Sequence, residues 1–169
     1  MAEIITPNDF EAQVLTGICV SSLPSALTAL QKLLAFGPQH VVITSSNISL
    51  PLDLQSHPYI TKFKGQHVLY LIASSKDSSP FIIPIPYIQG SFTGTGDLFS
   101  ALLLANYDKC ADLKSSCEKC VSILVAVLEE TVRQESQELR IIDCRDLLVN
   151  PPCPLTSRAI DVVGSDYLE

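Results

Sequence analysis

Apolar positions fall along this chain in two rhythms. Between Pro24 and Phe36, the residues Ala26, Leu27, Leu30, Leu33 and Leu34 recur at three- and four-residue steps. That spacing places side chains on one face of a helix. The same rhythm returns at Val121, Leu124, Val125 and Leu128, and predicts a helix over residues 113–134. A strongly apolar helix is predicted over residues 97–106. A shorter one runs from Asn8 to about Leu15, because Asn8 is a good N-cap, Glu11 follows three residues later, and Gly17 stops the helix. The second rhythm belongs to strands. Val41-Val42-Ile43 is β-branched and unbroken, as a strand covered on both faces reads. Further strands are predicted over residues 59–63, 66–73 and 80–88, with Lys64-Gly65 and residues 76–79 as turns, and a last strand over 139–143.

This order predicts an α/β layered domain with a largely parallel central sheet flanked by helices and some antiparallel strands in the middle. Ligands of such a sheet sit beyond the C-terminal ends of its strands. The polar turns after Ile43 and after Ile88 fall on that edge. Residues 1–150 read as one domain portion, and residues 151–169, with Pro151, Pro152 and Pro154, as an irregular tail.

Composition narrows the reading. Of the 169 residues, 47% are hydrophobic, so the chain is globular. Its longest nearly unbroken apolar run, residues 98–105, falls far short of the roughly 20 residues a membrane span needs. The first residues carry no basic stretch and no long apolar core, so no signal peptide is expected and the chain is expected in the cytosol. A net charge of −7 argues against nucleic-acid binding, since like charges repel. It leaves room for phosphate held by backbone N–H groups. The six cysteines are expected as thiols of a reducing compartment. Cys117-x-x-Cys120 has half of a zinc pattern, but no second Cys/His pair accompanies it. The two cysteines lie three apart in a helical segment, which favours buried thiols.

Three segments carry candidate chemistry. Gly94-Thr95-Gly96-Asp97 opens a helix. Two glycines allow positive φ and close backbone approach, and the first N–H groups of a helix lack internal partners. Together with the helix dipole they make an anion site for a transferring phosphoryl group. Asp97 at its mouth is suited to take a proton from an attacking hydroxyl; the plainer alternative is an ordinary turn with Asp97 as N-cap. The spacing is neither a Walker loop nor a dinucleotide fingerprint. Asn8 and Glu11 form the second segment, either facing one ligand or acting as a simple capping box. Thr44-Ser45-Ser46, after the buried strand, is the third; its hydroxyls can contact phosphate or an ion, or cap a turn.

Taken together, Ile5-Thr6-Pro7-Asn8-Asp9-Phe10-Glu11, Val41-Val42-Ile43-Thr44-Ser45-Ser46 and Phe92-Thr93-Gly94-Thr95-Gly96-Asp97-Leu98-Phe99-Ser100-Ala101 resemble, in order and separation, segments of the pyridoxal kinases. These belong to the ribokinase-like kinases. The resemblance runs from Ala2 to about Thr131 and more loosely to Pro151. It implies a ribokinase-like fold and ATP-dependent phosphorylation of the 5′-hydroxyl of pyridoxal, pyridoxamine or pyridoxine. Carried over by position, Asp97 is the general base, and the N–H groups of Gly94, Thr95 and Gly96 form the anion hole. Asn8 and Glu11 arrange Mg2+, its waters and the phosphates, and Thr44 and Ser45 line the ATP phosphates. Thr6 and Thr44 lie near a monovalent cation, K+ or Na+. Hydroxymethylpyrimidine kinases usually show Cys where Asp97 stands, which speaks against that branch. The resemblance also implies a homodimer for the complete enzyme, and that this chain corresponds to its C-terminal, ATP-binding half, without most of the vitamin pocket. Two other readings stand beside it: another ribokinase-like kinase acting on a sugar or nucleoside, and a non-catalytic nucleotide-binding fragment.

Overall fold

The structure, a computed structural model, describes residues 2–150 and 159–162, the side chain of Cys110 excepted. It divides into two compact units, one made of residues up to Ile85 and those from Ala159, the other beginning at Pro86.

The first unit contains β1 (Ile4–Ile5), α1 (Asp9–Thr16), α2 (Leu23–Ala35), β2 (His40–Ser46), α3 (Leu52–Gln55), α4 (Pro58–Thr61), β3 (Val68–Ser75) and β4 (Phe81–Pro86), whose last residue opens the second unit. The predicted helix starts and stops hold. Asn8 caps α1 in a reciprocal box with Glu11, and Gly17 closes it in the left-handed conformation. Ser22 caps α2 in the same way with Ser25. The α2 stripe, Leu23, Leu27, Leu30 and Leu33, packs in one buried cluster with Val41 and Ile43 of β2, Ile72 of β3 and Ile82 of β4. Burying each such side chain stabilises by about 1.5–3 kcal/mol. Val42, at the alternate position of β2, is fully buried too, as the unbroken apolar run predicts.

In the second unit, α5 (Thr95–Cys110) packs against α6 (Leu113–Arg133), and α7 (Arg145–Val149) follows. Asp112 caps α6 by accepting from the Ser115 N–H. Cys117 and Cys120 lie on the buried face of α6, and burial pushes the Cys117 thiol well up. Among the described residues no group of three or more His, Cys, Asp or Glu could hold a metal, and no helix is long and apolar enough to cross a membrane.

The sheet has the order β1-β2-β3-β4-β5, with β5 (Ile160–Asp161) belonging to the first unit. It is mixed. β1 and β2 are parallel, β2 and β3 antiparallel, and β4 and β5 antiparallel. β3 and β4 are joined by residues 76–80, too few for the crossover a parallel pair needs. Antiparallel pairing therefore reaches further than the middle strands, where the sequence predicts it. The tail expected to be irregular contributes β5; its residues 151–158 and 163–169 lie outside the described residues.

Two predicted strands are replaced. Residues 59–63 form α4 and turns: Pro58 stands in its first turn, and the His57 ring nitrogen accepts from the Tyr59 N–H at 3.3 Å. Lys64-Gly65 accordingly leaves a helical segment instead of turning a hairpin. Residues 139–140 are irregular and 141–143 form a turn before α7. Ile142 there is 80% exposed, so no buried face specifies a strand.

Candidate active site

In the first unit, the parallel pair β1·β2 sets Ile5 beside Val41, and beyond it the Thr44 N–H donates to the Pro7 carbonyl at 3.0 Å. The C-terminal ends of two neighbouring parallel strands thus bring Thr6 and Asn8 alongside Thr44 and Ser45, at the sheet edge where α/β proteins bind ligands. Thr44 and Ser45 are half-buried and belong to β2 itself, not to a following turn as the sequence suggests; they sit in an irregularity where the register with β3 shifts between Ile43 and Ser46. That shift frees both residues from regular pairing. Ser46, the third hydroxyl of the run, is 1% exposed and its Oγ has no hydrogen-bond partner among the described residues. A buried hydroxyl left so costs about 1–3 kcal/mol. The sequence displays the hydroxyl run but gives no sign of which member is buried.

Asn8 and Glu11 do form the capping box. The Glu11 N–H donates to Asn8 Oδ1 at 2.8 Å, and the Asn8 N–H donates to Glu11 Oε2 at 2.9 Å. The box leaves the Asn8 amide nitrogen and the second Glu11 oxygen available, so capping and ligand binding are compatible. Glu11 is exposed and shares a groove with Thr6, Phe10 and Val14.

In the second unit, Gly94 is the N-cap of α5, with φ 88° and ψ 9°, and its carbonyl accepts the first helical bond from the Leu98 N–H at 2.9 Å. The N–H groups of Thr95, Gly96 and Asp97 therefore open the helix without intrahelical acceptors, at its positive dipole end. Asp97 stands third in the helix and makes no capping bond, which removes the N-cap alternative. Its carboxylate is exposed, next to the N–H cluster. The glycines divide the work differently from the expectation that both need positive φ. Only Gly94 is left-handed there, and a Cβ on Gly96 would meet nothing within 4 Å. Upstream, a Cβ on Gly90 would stand 2.5 Å from Cζ of Phe92, so that ring lies directly on a glycine backbone.

Asp97 and the N–H cluster are thus brought together by one helix start, and Thr6, Asn8, Glu11, Thr44 and Ser45 by one sheet edge. Sequence reasoning missed Gly94 as the cap and Ser46 as the buried member of its run.

Comparison with known proteins adds the family. The family model for phosphomethylpyrimidine kinase matches residues 1–141. Pyridoxal kinase of Sus scrofa is 37% identical over 142 residues, covering 79% of this chain and 40% of the relative; that of Homo sapiens is 36% identical, covering 79% and 42%. Among solved structures, pyridoxal kinase from Leishmania donovani in complex with ADP and pyridoxine superposes with a TM-score of 0.75 at 26% identity, covering 96% of this chain and 51% of that one. The chain spans about half, or less, of the length of these relatives. With the helix-opening Gly94–Asp97 segment and the hydroxyl-bearing end of β2 both inside the matched stretch, the chain belongs to the phosphomethylpyrimidine kinase family.

Proposed function

We propose that this chain carries the phosphate-transfer machinery of an ATP-dependent kinase that phosphorylates the 5′-hydroxyl of pyridoxal and its pyridoxine and pyridoxamine relatives. The observation that carries the reading is the start of α5, where three N–H groups and an uncommitted carboxylate stand together. In this reading Asp97 takes the proton of the substrate hydroxyl as its oxygen attacks the γ-phosphorus of ATP. The N–H groups of Gly94, Thr95 and Gly96, the last two among those that the helix start leaves open, hold the charge that gathers on the transferring oxygens, and ADP leaves. Asn8, Thr44 and Ser45 would bind the ATP phosphates.

Mg2+ would supply charge neutralisation on the phosphates. The residues fit that role: Glu11 offers one open carboxylate oxygen, and Mg2+ ordinarily keeps waters and phosphates as its other ligands. A monovalent cation, K+ or Na+, would be held by Thr6 and Thr44. The unpartnered Ser46 oxygen, two residues beyond Thr44 in β2, is of the hard-oxygen kind that such an ion takes. Substrate identity rests on similarity to the pyridoxal kinases, as do a cytosolic location and a homodimer for the complete enzyme.

The test is calorimetric titration of the purified chain with MgADP and with pyridoxal, alongside an assay for pyridoxal 5′-phosphate formation from MgATP. MgADP binding is expected. Binding without turnover would favour a non-catalytic nucleotide-binding chain. Turnover of a sugar or nucleoside in preference to pyridoxal would replace the substrate, and absence of MgADP binding would remove the reading altogether.

A further inference from the structure

A short strap reaches back from the end of α6 to the phosphate loop, and one buried hydroxyl holds its base. Thr131 is fully buried. Its Oγ1 donates to the Val127 carbonyl at 2.7 Å and accepts from the Arg140 N–H at 3.1 Å, nine residues on. The Thr131 carbonyl accepts from the Ser136 N–H at 3.1 Å. Between these anchors the chain turns sharply, with Glu135 at φ 51°, an uncommon conformation for a residue with a side chain. Ser136 then clamps the next turn: its Oγ donates to the Glu138 carbonyl at 2.9 Å and accepts from the Glu138 N–H at 3.1 Å. Glu138 forms a parallel bridge with Thr93, and a Cβ on Gly94 would lie 3.9 Å from Leu139 Cδ1. The strap therefore ends on the residue before the left-handed cap of α5, and on the cap itself.

We infer that Thr131 is a positioning residue for the anion loop: through the strap of residues 135–140 it fixes Thr93 and Gly94, and so the direction of the N–H groups that open α5. The inference rests on the reading of that loop as a phosphate site. Threonine is the right residue for this post. Its β-branched body fills a buried helical position as valine would. Its hydroxyl bonds back along the helix, as serine and threonine do, and still has a lone pair for the strap. Valine would keep the volume and leave the Arg140 N–H without its acceptor.

The experiment compares the wild-type chain with Thr131→Val, Thr131→Ser and Ser136→Ala. MgADP affinity is read by calorimetry, and amide hydrogen exchange over residues 93–97 is read without ligand. Thr131→Val is expected to weaken MgADP by about two- to tenfold, the worth of one hydrogen bond, and to speed exchange at the loop. Thr131→Ser, which keeps the hydroxyl, should restore both, and Ser136→Ala should shift both in the direction of Thr131→Val. A folded Thr131→Val with wild-type affinity and wild-type exchange overturns the inference. If Thr131→Val does not fold, unchanged affinity and exchange in the half-exposed Ser136→Ala overturn it instead. If the wild-type chain does not bind MgADP, the phosphate reading fails on its own. The exchange arm still decides whether the strap holds the loop.

Discussion

Asp97 and the two glycines before it separate cleanly into residues that hold the backbone and residues that face a ligand. Asp97 makes no capping bond, so Asp97→Asn removes a base and little else. In a complete kinase, kcat is expected to fall by about 10²–10⁴, with the unfolding midpoint and MgADP affinity almost unchanged; near-normal turnover would show the base assignment to be mistaken. The glycines give opposite signs. Gly94→Ala must place a Cβ at φ 88°, at a cost of about 1–2 kcal/mol, and should lower the melting temperature. Gly96→Ala meets no protein atom and gains about 0.5–1 kcal/mol of helix propensity, so it should fold as well or better while binding MgADP more weakly. Loss of stability in Gly96→Ala, with affinity intact, would mean that no ligand approaches that backbone.

Elements were legible where a local signal and the tertiary packing agree. α1, α2, α5 and α6 have strong caps or apolar stripes, and β2 has its β-branched run, so each is recognisable from its own residues. Residues 59–63 were not, because Tyr59, Ile60 and Phe63 suggest a strand while Pro58 and His57 start a helical turn. The sense of strand pairing was legible only in part: antiparallel strands in the middle were expected, but not how far they reach. It depends on loop lengths between elements, and removing one strand at 59–63 changes them. In the site, the hydroxyl run and the Gly-Thr-Gly-Asp start were visible as residue types. The bulge at β2, the orphaned Ser46 oxygen and the strap are long-range facts, which no local pattern announces. The dual use of Asn8 invites a test at this scale. Asn8→Ala should destabilise α1 by about 0.5–2 kcal/mol. Asn8→Asp keeps the cap acceptor but replaces the amide donor with negative charge, so thermal unfolding should stay at the wild-type midpoint while MgADP binding weakens. Equal affinity in Asn8→Asp would confine Asn8 to capping.

At the scale of the whole molecule, the first unit has one exposed sheet edge. β1 stands at the edge of the sheet order, and α1 leaves Phe10 69% and Val14 67% exposed. An open edge next to large apolar side chains favours association with other chains. Sedimentation of the purified chain is expected to show self-association that grows with concentration, and Phe10→Glu combined with Val14→Lys should shift it toward monomer. A monodisperse wild-type monomer at high concentration would show that this face needs no cover. The two strand ends of the first unit raise a separate matter. β4 meets β5 only after the chain has passed through residues 87–159. During synthesis those residues take about 4–15 s to emerge at ordinary elongation rates, and throughout that interval the β4 edge has no partner. The α5–α6 pair can form and harden before the sheet is finished. Order of birth thus runs against order of place: the α5–α6 pair can be ready while the outer edge of β4 still waits for Ile160. A ribosome-bound chain stalled with residue 158 just exposed should yield a protease-resistant fragment from α5 and α6, while β4 stays open to cleavage until residues 160–162 are out. Equal protection of both at that length would show that β5 arrives as an ornament to a sheet already closed.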